Sequence, residues 1–328
     1  MTIRALRLPG DLLPLADMLV KTFQYPENPE WGIQADEEDD IAREIKTLRR
    51  LWPLFRVAQF ISKPLKDIFR GFLWEEDGKI GAVVITQRQG SSNTWTVGTV
   101  GVLPEFRRRG LAKQLLTKSL EDIRRRGGTH IVLGVIDRNV PAYTLYRSLG
   151  FEHYSSQLEF QLAPKEDCEK SQLPKGFTEV PLDKFDWEKR YTLAKRVTPV
   201  GVAKYRPVEE GRFKTPAAFR LIEPLMSKMQ RRREKRSLFR VGDMIVGHSG
   251  YRTTTSQKGT STIWAYLDPE QPNLAPHVIG EALRSVTALS PSLRVRLMTS
   301  SWMPSLGQTA TELGFTKRLE YHELGLIL

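Results

Sequence analysis

Between Trp95 and Arg126 the spacing of apolar positions changes period once, and the change divides a strand from a helix. Thr96, Val97, Thr99, Val100 and Val102 are β-branched and favour extended backbone, and Pro104 cannot donate to a central ladder. A strand over 95–103 follows. Leu111, Leu115, Leu116, Leu120 and Ile123 then fall on one helix face, with Lys113, Lys118, Glu121 and Asp122 on the other and Gly127-Gly128 as a stop.

The flanking text reads in the same way. A short strand over 3–8 precedes a helix carrying Leu12, Leu15, Ala16, Leu19, Val20 and Phe23. A second helix opens at the acidic run 36–40 and continues through Ile41, Ile45, Leu48 and Leu51. Asp77-Gly78, set between Phe72–Trp74 and Lys79–Thr86, predicts a hairpin. His130–Ile136 is a nearly unbroken apolar run, so it should be a strand buried on both faces, parallel to 95–103, with the helix between them as crossover. Gly98 and Gly101 inside the central strand mark a bulge or a close approach by a ligand.

The chemistry concentrates in the loop Arg107-Arg108-Arg109-Gly110-Leu111-Ala112. First-turn helix amides lack intrahelical partners and sit at the positive end of the dipole. Gly110 and the small Ala112 leave room for a bulky anion, and Arg107, Arg108 and Arg109 bring forked donors that suit phosphate. The loop lacks the Gly-Lys-Ser/Thr ending of a P-loop and the spaced glycines of a dinucleotide fingerprint. A pyrophosphate cradle is the expectation.

Arg107-x-x-Gly110-x-Ala112, following Val100-Gly101-Val102-Leu103-Pro104, resembles the acyl-CoA signature of the GNAT superfamily of N-acyltransferases. Asn139-Val140-Pro141-Ala142-Tyr143-Thr144-Leu145-Tyr146-Arg147-Ser148-Leu149-Gly150-Phe151 is similar to its second signature, Asn-x-x-Ala-x-x-Leu-Tyr-x-x-x-Gly-Phe, at every named position. The resemblance implies acetyl-CoA as acyl donor, with its diphosphate on residues 107–112 (Leu111 included), its carbonyl polarised by amides near Val100, Gly101 and Val102, and its pantetheine arm near Asn139 and Ala142. It also implies that Tyr146 faces the departing sulfur as a proton donor. Asn139 can equally be an N-cap, and Tyr146 a core aromatic.

The family's usual Glu on the central strand is missing, since Thr94–Thr99 holds no acid. Glu105, Asp137, Glu75 or the acidic loop 27–40 could replace it, or the amine could arrive neutral. The acids at 36–40 read equally as helix-dipole stabilisers or as an attraction for a cationic amine beside Tyr25 and Trp31.

Composition narrows the partners. The 328 residues suggest two domains, and 40% hydrophobic with 27% charged residues describes an ordinary globular chain. No apolar run approaches a membrane span, the first residues do not read as a secretory signal, and the single Cys168 permits no intrachain disulfide. A cytoplasmic setting without metal or membrane is expected, as monomer or homodimer. The formal net charge of +12 favours anionic ligands. The basic run Arg231–Arg236, placed at the end of an apolar-faced helix, keeps open a nucleic-acid or acyl-CoA-sensing module as the alternative class, with nucleic acid the disfavoured partner.

After a polar linker over 164–175 the layout repeats at an offset near 165. Gly242-Asp243 matches Asp77-Gly78, Leu267-Asp268-Pro269-Glu270 matches Val102–Glu105, and Leu313-Gly314-Phe315 matches Leu149–Phe151. The copy carries Pro272, Ala275 and His277 in place of the cradle and Ala310 in place of Tyr146. The expectation is therefore a mixed α/β protein of tandem GNAT-like domains, each a twisted sheet flanked by helices. Residues 1–163 would be catalytic and 176–328 a degenerate partner.

Overall fold

The structure, a computed structural model, describes residues 2–25, 27–165 and 171–328. The centre of the expected linker, 166–170 with Cys168, lies outside the described residues. In chain order the elements are β1 (Thr2–Ala5), α1 (Leu12–Thr22), α2 (Ala35–Ile61), β2 (Arg70–Glu76), β3 (Lys79–Arg88), β4 (Thr94–Val102), α3 (Leu111–Arg125), β5 (His130–Ile136), α4 (Val140–Ser148) and β6 (Glu152–Leu162). Then follow β7 (Phe177–Pro181), α5 (Trp187–Val197), α6 (Val200–Tyr205), α7 (Glu210–Phe213), α8 (Ala217–Met229), β8 (Arg232–Val241), β9 (Met244–Thr254), β10 (Ser261–Leu267), α9 (Ala275–Leu289), β11 (Val295–Ser300), α10 (Pro304–Glu312) and β12 (Thr316–Ile327).

Two compact units emerge, and they are not the contiguous halves expected. The first unites 1–154 with 201–226 and 323–328; the second unites 155–200 with 227–322. The correction has a local cause. Gly90 and Gly211 each lack a side chain where the chains meet, and Ser91 N–H donates to Gly211 O at 2.9 Å. The ring of Phe219 lies 6.2 Å from that of Phe55, which fastens α8 to α2. Leu328 N–H donates to Thr129 O at 2.9 Å, and Leu324, Leu326 and Leu328 enter the first unit's core.

In the first unit the sheet runs β1-β2-β3-β4-β5, antiparallel except for the parallel β4–β5 pair that the crossover helix α3 demands. Leu115, Leu116 and Ile123 of α3 are fully buried with Trp95, Ile131 and Phe151. In the second unit β7-β8-β9-β10-β11 repeat that order, again with one parallel pair, β10–β11, and residues 157–162 of β6 pair with β11. Its core gathers Phe160, Phe239, Ile263, Val278, Leu283 and Leu297.

The basic run needs correcting. Residues 232–236 belong to strand β8, not to a helix end, and pair with β9 from Arg232↔Thr254 onward. Glu234 takes ion pairs from Arg236 at 2.6 Å and Arg252 at 3.1 Å, and both guanidinium groups lie over Trp264. Arg236 is thus paired within the sheet rather than offered to a ligand.

Candidate acyl-CoA site

β4 carries the site because it loses its neighbour halfway along. Thr94, Trp95 and Thr96 pair with His130, Ile131 and Val132, and beyond Thr96 no pair joins the two strands among the described residues. On its other edge β4 stays paired with β3 as far as Val102↔Ala82. The register jumps from Ile85↔Thr99 to Thr86↔Val97, so Gly98 is the extra residue of a bulge. Leu103 N–H donates to Gly81 O at 2.9 Å. By strict alternation the amides of Val100 and Val102 then turn away from β3, toward the opening. Gly101, the residue between them, is buried beside Thr22 at the end of α1.

The start of α3 is bare. Gly110 sits in the left-handed region at φ +73° and has no side chain to cap the helix; Gln114 N–H is bonded to Gly110 O. The first-turn amides of Leu111, Ala112 and Lys113 therefore receive no side-chain cap from Gly110.

The three arginines divide their labour, which their adjacency does not reveal. Arg107 turns inward, donating Nε to Val102 O and an Nη to Thr22 O, each at 3.3 Å. Arg109 lies 3.7 Å from Glu76 and over the ring of Phe106. Arg108, itself at φ +61°, is exposed and has no side-chain partner among the described residues.

α4 presents the second signature. Asn139 caps it, its Oδ1 accepting from Ala142 N–H at 3.3 Å, and that leaves the Asn139 amide free to donate. Tyr146 is buried at 7% exposure, its ring edge-on to Phe151. Burial, and secondarily the nearby Tyr25 phenol, push the Tyr146 hydroxyl well above its ordinary value of 10.0. It therefore stays protonated wherever the protein works. Tyr25 is raised by burial too and partly offset by Arg107. Its loop is held in place, since Trp31 lies 5.5 Å edge-on to Tyr25 while Arg138 bonds Glu30 at 3.1 Å and covers Trp31.

The acids proposed as base are mostly committed elsewhere. Glu105 is exposed and paired with Lys79 at 2.6 Å, and Glu75 with Arg4 at 2.7 Å. Asp40 pairs with Arg43 at 2.8 Å, and the Glu37 side chain accepts from Gln34 N–H at 2.9 Å as a capping box. The acidic run thus serves the helix it opens. Local reading could not find residues 201–226 or 323–328, which lie well beyond the motifs in sequence and still belong to this unit.

The sequence model of the Acetyltransferase (GNAT) family matches residues 34–151. A mycothiol acetyltransferase of Thermobispora bispora is 28% identical over 145 residues, covering 42% of this chain and 41% of its own. The Escherichia coli K12 [ribosomal protein bS18]-alanine N-acetyltransferase is 32% identical over 83 residues, 25% of this chain and 55% of its own. The chain thus spans about two-fifths to half the length of these relatives. Two solved structures share the fold over nearly the whole length. A tandem GNAT protein from the clavulanic acid biosynthesis pathway has a TM-score of 0.62 at 13% identity, covering 99% of this chain and 98% of its own. A GCN5-related N-acetyltransferase from Sphaerobacter thermophilus has a TM-score of 0.64 at 14% identity, covering 99% and 95%.

Proposed function

The chain belongs to the GNAT superfamily of acyl-CoA N-acyltransferases, and from that premise we propose that its first unit transfers an acetyl group from acetyl-CoA to a primary amine by direct attack. The observation that carries the reading is the opening beside β4 past Thr96, flanked by the bare N-terminus of α3. First-turn amides of α3 and Arg108 hold the diphosphate. Asn139 donates to the pantetheine arm. Val100 and Val102 amides meet the thioester carbonyl, where developing negative charge gains most from fixed donors.

The neutral amine attacks the carbonyl carbon, a C–N bond forms as the C–S bond breaks, the thiolate takes the Tyr146 proton, and the proton shed by the new amide nitrogen restores the phenol through solvent. Burial keeps that phenol protonated, which supports its role as donor rather than base. Support for a single working unit comes from the second. There Pro276 removes an amide in the first turn of α9 and Pro272 one in the turn before it, Ala275 and His277 are buried, and the fully buried Ala310 offers no hydroxyl. Mycothiol and ribosomal-protein acetyltransferases among the relatives accord with an amine acceptor.

Calorimetry with acetyl-CoA and full-length protein, followed by free-thiol release over a panel of amines, tests the proposal. Absence of CoA-thioester binding refutes it, and binding without thiol release makes the protein a sensor.

A further inference from the structure

The last third of α2 is apolar on both of its faces. Leu51, Trp52, Phe55 and Ala58 are buried and fix the helix to its unit. On the opposite side Leu54, Val57, Phe60 and Ile61 stand in solvent, at 46%, 61%, 83% and 79% exposure. At about 100° per residue, Leu54, Phe60 and Ile61 all lie within about 60° of Val57, so the four form one stripe. A helix that is hydrophobic all round is ordinarily enclosed, and contiguous apolar surface left in water marks a place of contact.

The charge around the stripe decides what fits it. From residue 45 to residue 70 the sequence holds seven Lys and Arg and one acid, Asp67. Asp67 is buried and taken by Arg88 at 3.1 Å and Arg126 at 3.3 Å. Lys46, Arg49, Arg50, Arg56 and Lys66 are exposed and make no ion pair among the described residues. Lys46 and Arg50 continue the line of the stripe, each within about 20° of Val57, while Arg49 and Arg56 flank it at about 80–100°. The Gln59 side-chain N–H donates to Leu65 O at 3.2 Å, which keeps the segment carrying Lys66 close to the end of α2. The acids at 36–40 open the same helix, but Asp39 sits about 27 Å up the axis from Val57, about three Debye lengths away at physiological salt.

We propose that the C-terminal end of α2 is a docking surface for an anionic lipid bilayer, with Phe60 and Ile61 entering the headgroup boundary while Lys46, Arg49, Arg50, Arg56 and Lys66 meet lipid phosphates. An apolar ridge inside a cationic rim is what such a surface takes up. Side chains this exposed have no walls beside them, so the ridge gives a peptide no groove. A second copy docked about a two-fold axis at Val57 would set two identical cationic rims together with no acid between them. No helix among the described residues is long and apolar enough to cross a membrane, so the contact is with the bilayer surface. Acetyl transfer and lipid docking stand or fall separately.

Co-sedimentation of the full chain with vesicles tests the surface. Wild type should pellet with phosphatidylglycerol–phosphatidylcholine vesicles in dilute buffer, and bind at least tenfold more weakly to phosphatidylcholine alone or in about 0.5 M salt. Phe60→Ser combined with Ile61→Ser leaves every charge in place, so it separates the stripe from the general attraction of a basic protein. The pair should weaken binding at least tenfold with the melting temperature held, since both side chains are exposed. Arg50→Glu with Arg56→Glu should do the same. Phe60→Trp should add a blue-shifted, brighter emission over wild type when anionic vesicles are mixed in. Wild type that stays in the supernatant overturns the docking surface, as does binding that the serine pair leaves within twofold, or an unshifted Phe60→Trp emission. A vesicle-free dimer in analytical ultracentrifugation that the serine pair dissociates would assign the stripe to a second copy and overturn it equally.

Discussion

Replacing Tyr146 by Phe removes one oxygen from a ring that is otherwise fixed by Phe151, Leu133 and the α4 helix. The Tyr146 hydroxyl has no hydrogen-bond partner among the described residues, so its loss strands no other buried group. Folding stability should therefore change by less than about 0.5 kcal/mol, the range of substitutions that break no partnership. Catalysis should respond quite differently. A positioned proton donor is worth about 10²–10⁴ in rate, or about 3–5 kcal/mol of barrier. Thiol release under saturating acetyl-CoA should fall by that factor, while the calorimetric dissociation constant for acetyl-CoA and the melting temperature hold still. A rate within threefold of wild type would show that the thiolate leaves unaided and would remove Tyr146 from the mechanism. A fall in melting temperature together with rate would mark it as a packing residue.

Other perturbations separate binding from folding. Gly110→Ala places a Cβ at φ +73° with only Gln114 nearby, at 3.8 Å, so strain of about 1 kcal/mol should accompany a tenfold or greater loss of CoA affinity, read by melting and calorimetry. Gly211→Ala drives a Cβ to 2.8 Å from Ser91 Oγ and 2.9 Å from backbone, and should lower stability by about 1–3 kcal/mol in a denaturant titration. His248, stacked on Tyr266, is held down from 6.5 to about 3 by burial first and then by Arg190 and Arg236. The unfolded chain therefore binds the extra proton between those pH values, and stability should fall as pH drops from 6.5 toward 3, by at most about 1.4 kcal/mol per pH unit. A His248→Gln variant should flatten that slope in melting curves taken across the range.

The elements between 79 and 148 were legible because each is announced by short-range chemistry, whereas α2 continues ten residues past its last expected apolar position, Leu51. The period change at Gly110, the Asp77-Gly78 turn and the Asn139 cap all lie within their own segments, and β3, β4, α3, β5 and α4 fall within a residue or two of expectation. Β1 is shorter than expected, ending at Ala5 rather than Leu8. Long-range pairing was not legible. Nothing around Gly211 or Glu323 signals that these residues complete a unit whose motifs lie at 94–151, since glycine and glutamate are commonplace in loops and strand ends. The basic run misled because its apolar-faced helix stops at Met229, and Arg231 at φ +51° reverses the chain into β8. The inward turn of Arg107 depended on two carbonyls, Thr22 O and Val102 O, whose proximity only the folded backbone creates.

The tail of β12 carries one more implication. Cutting the chain after residue 163 would strip Leu324, Leu326 and Leu328 from beneath α4 and expose the flank of β5 that Leu328 now covers. A gene fragment that encoded both signatures intact would consequently yield a sticky, half-finished sheet. The second half of the sequence therefore does more than repeat the first, because its last residues complete the first unit's core.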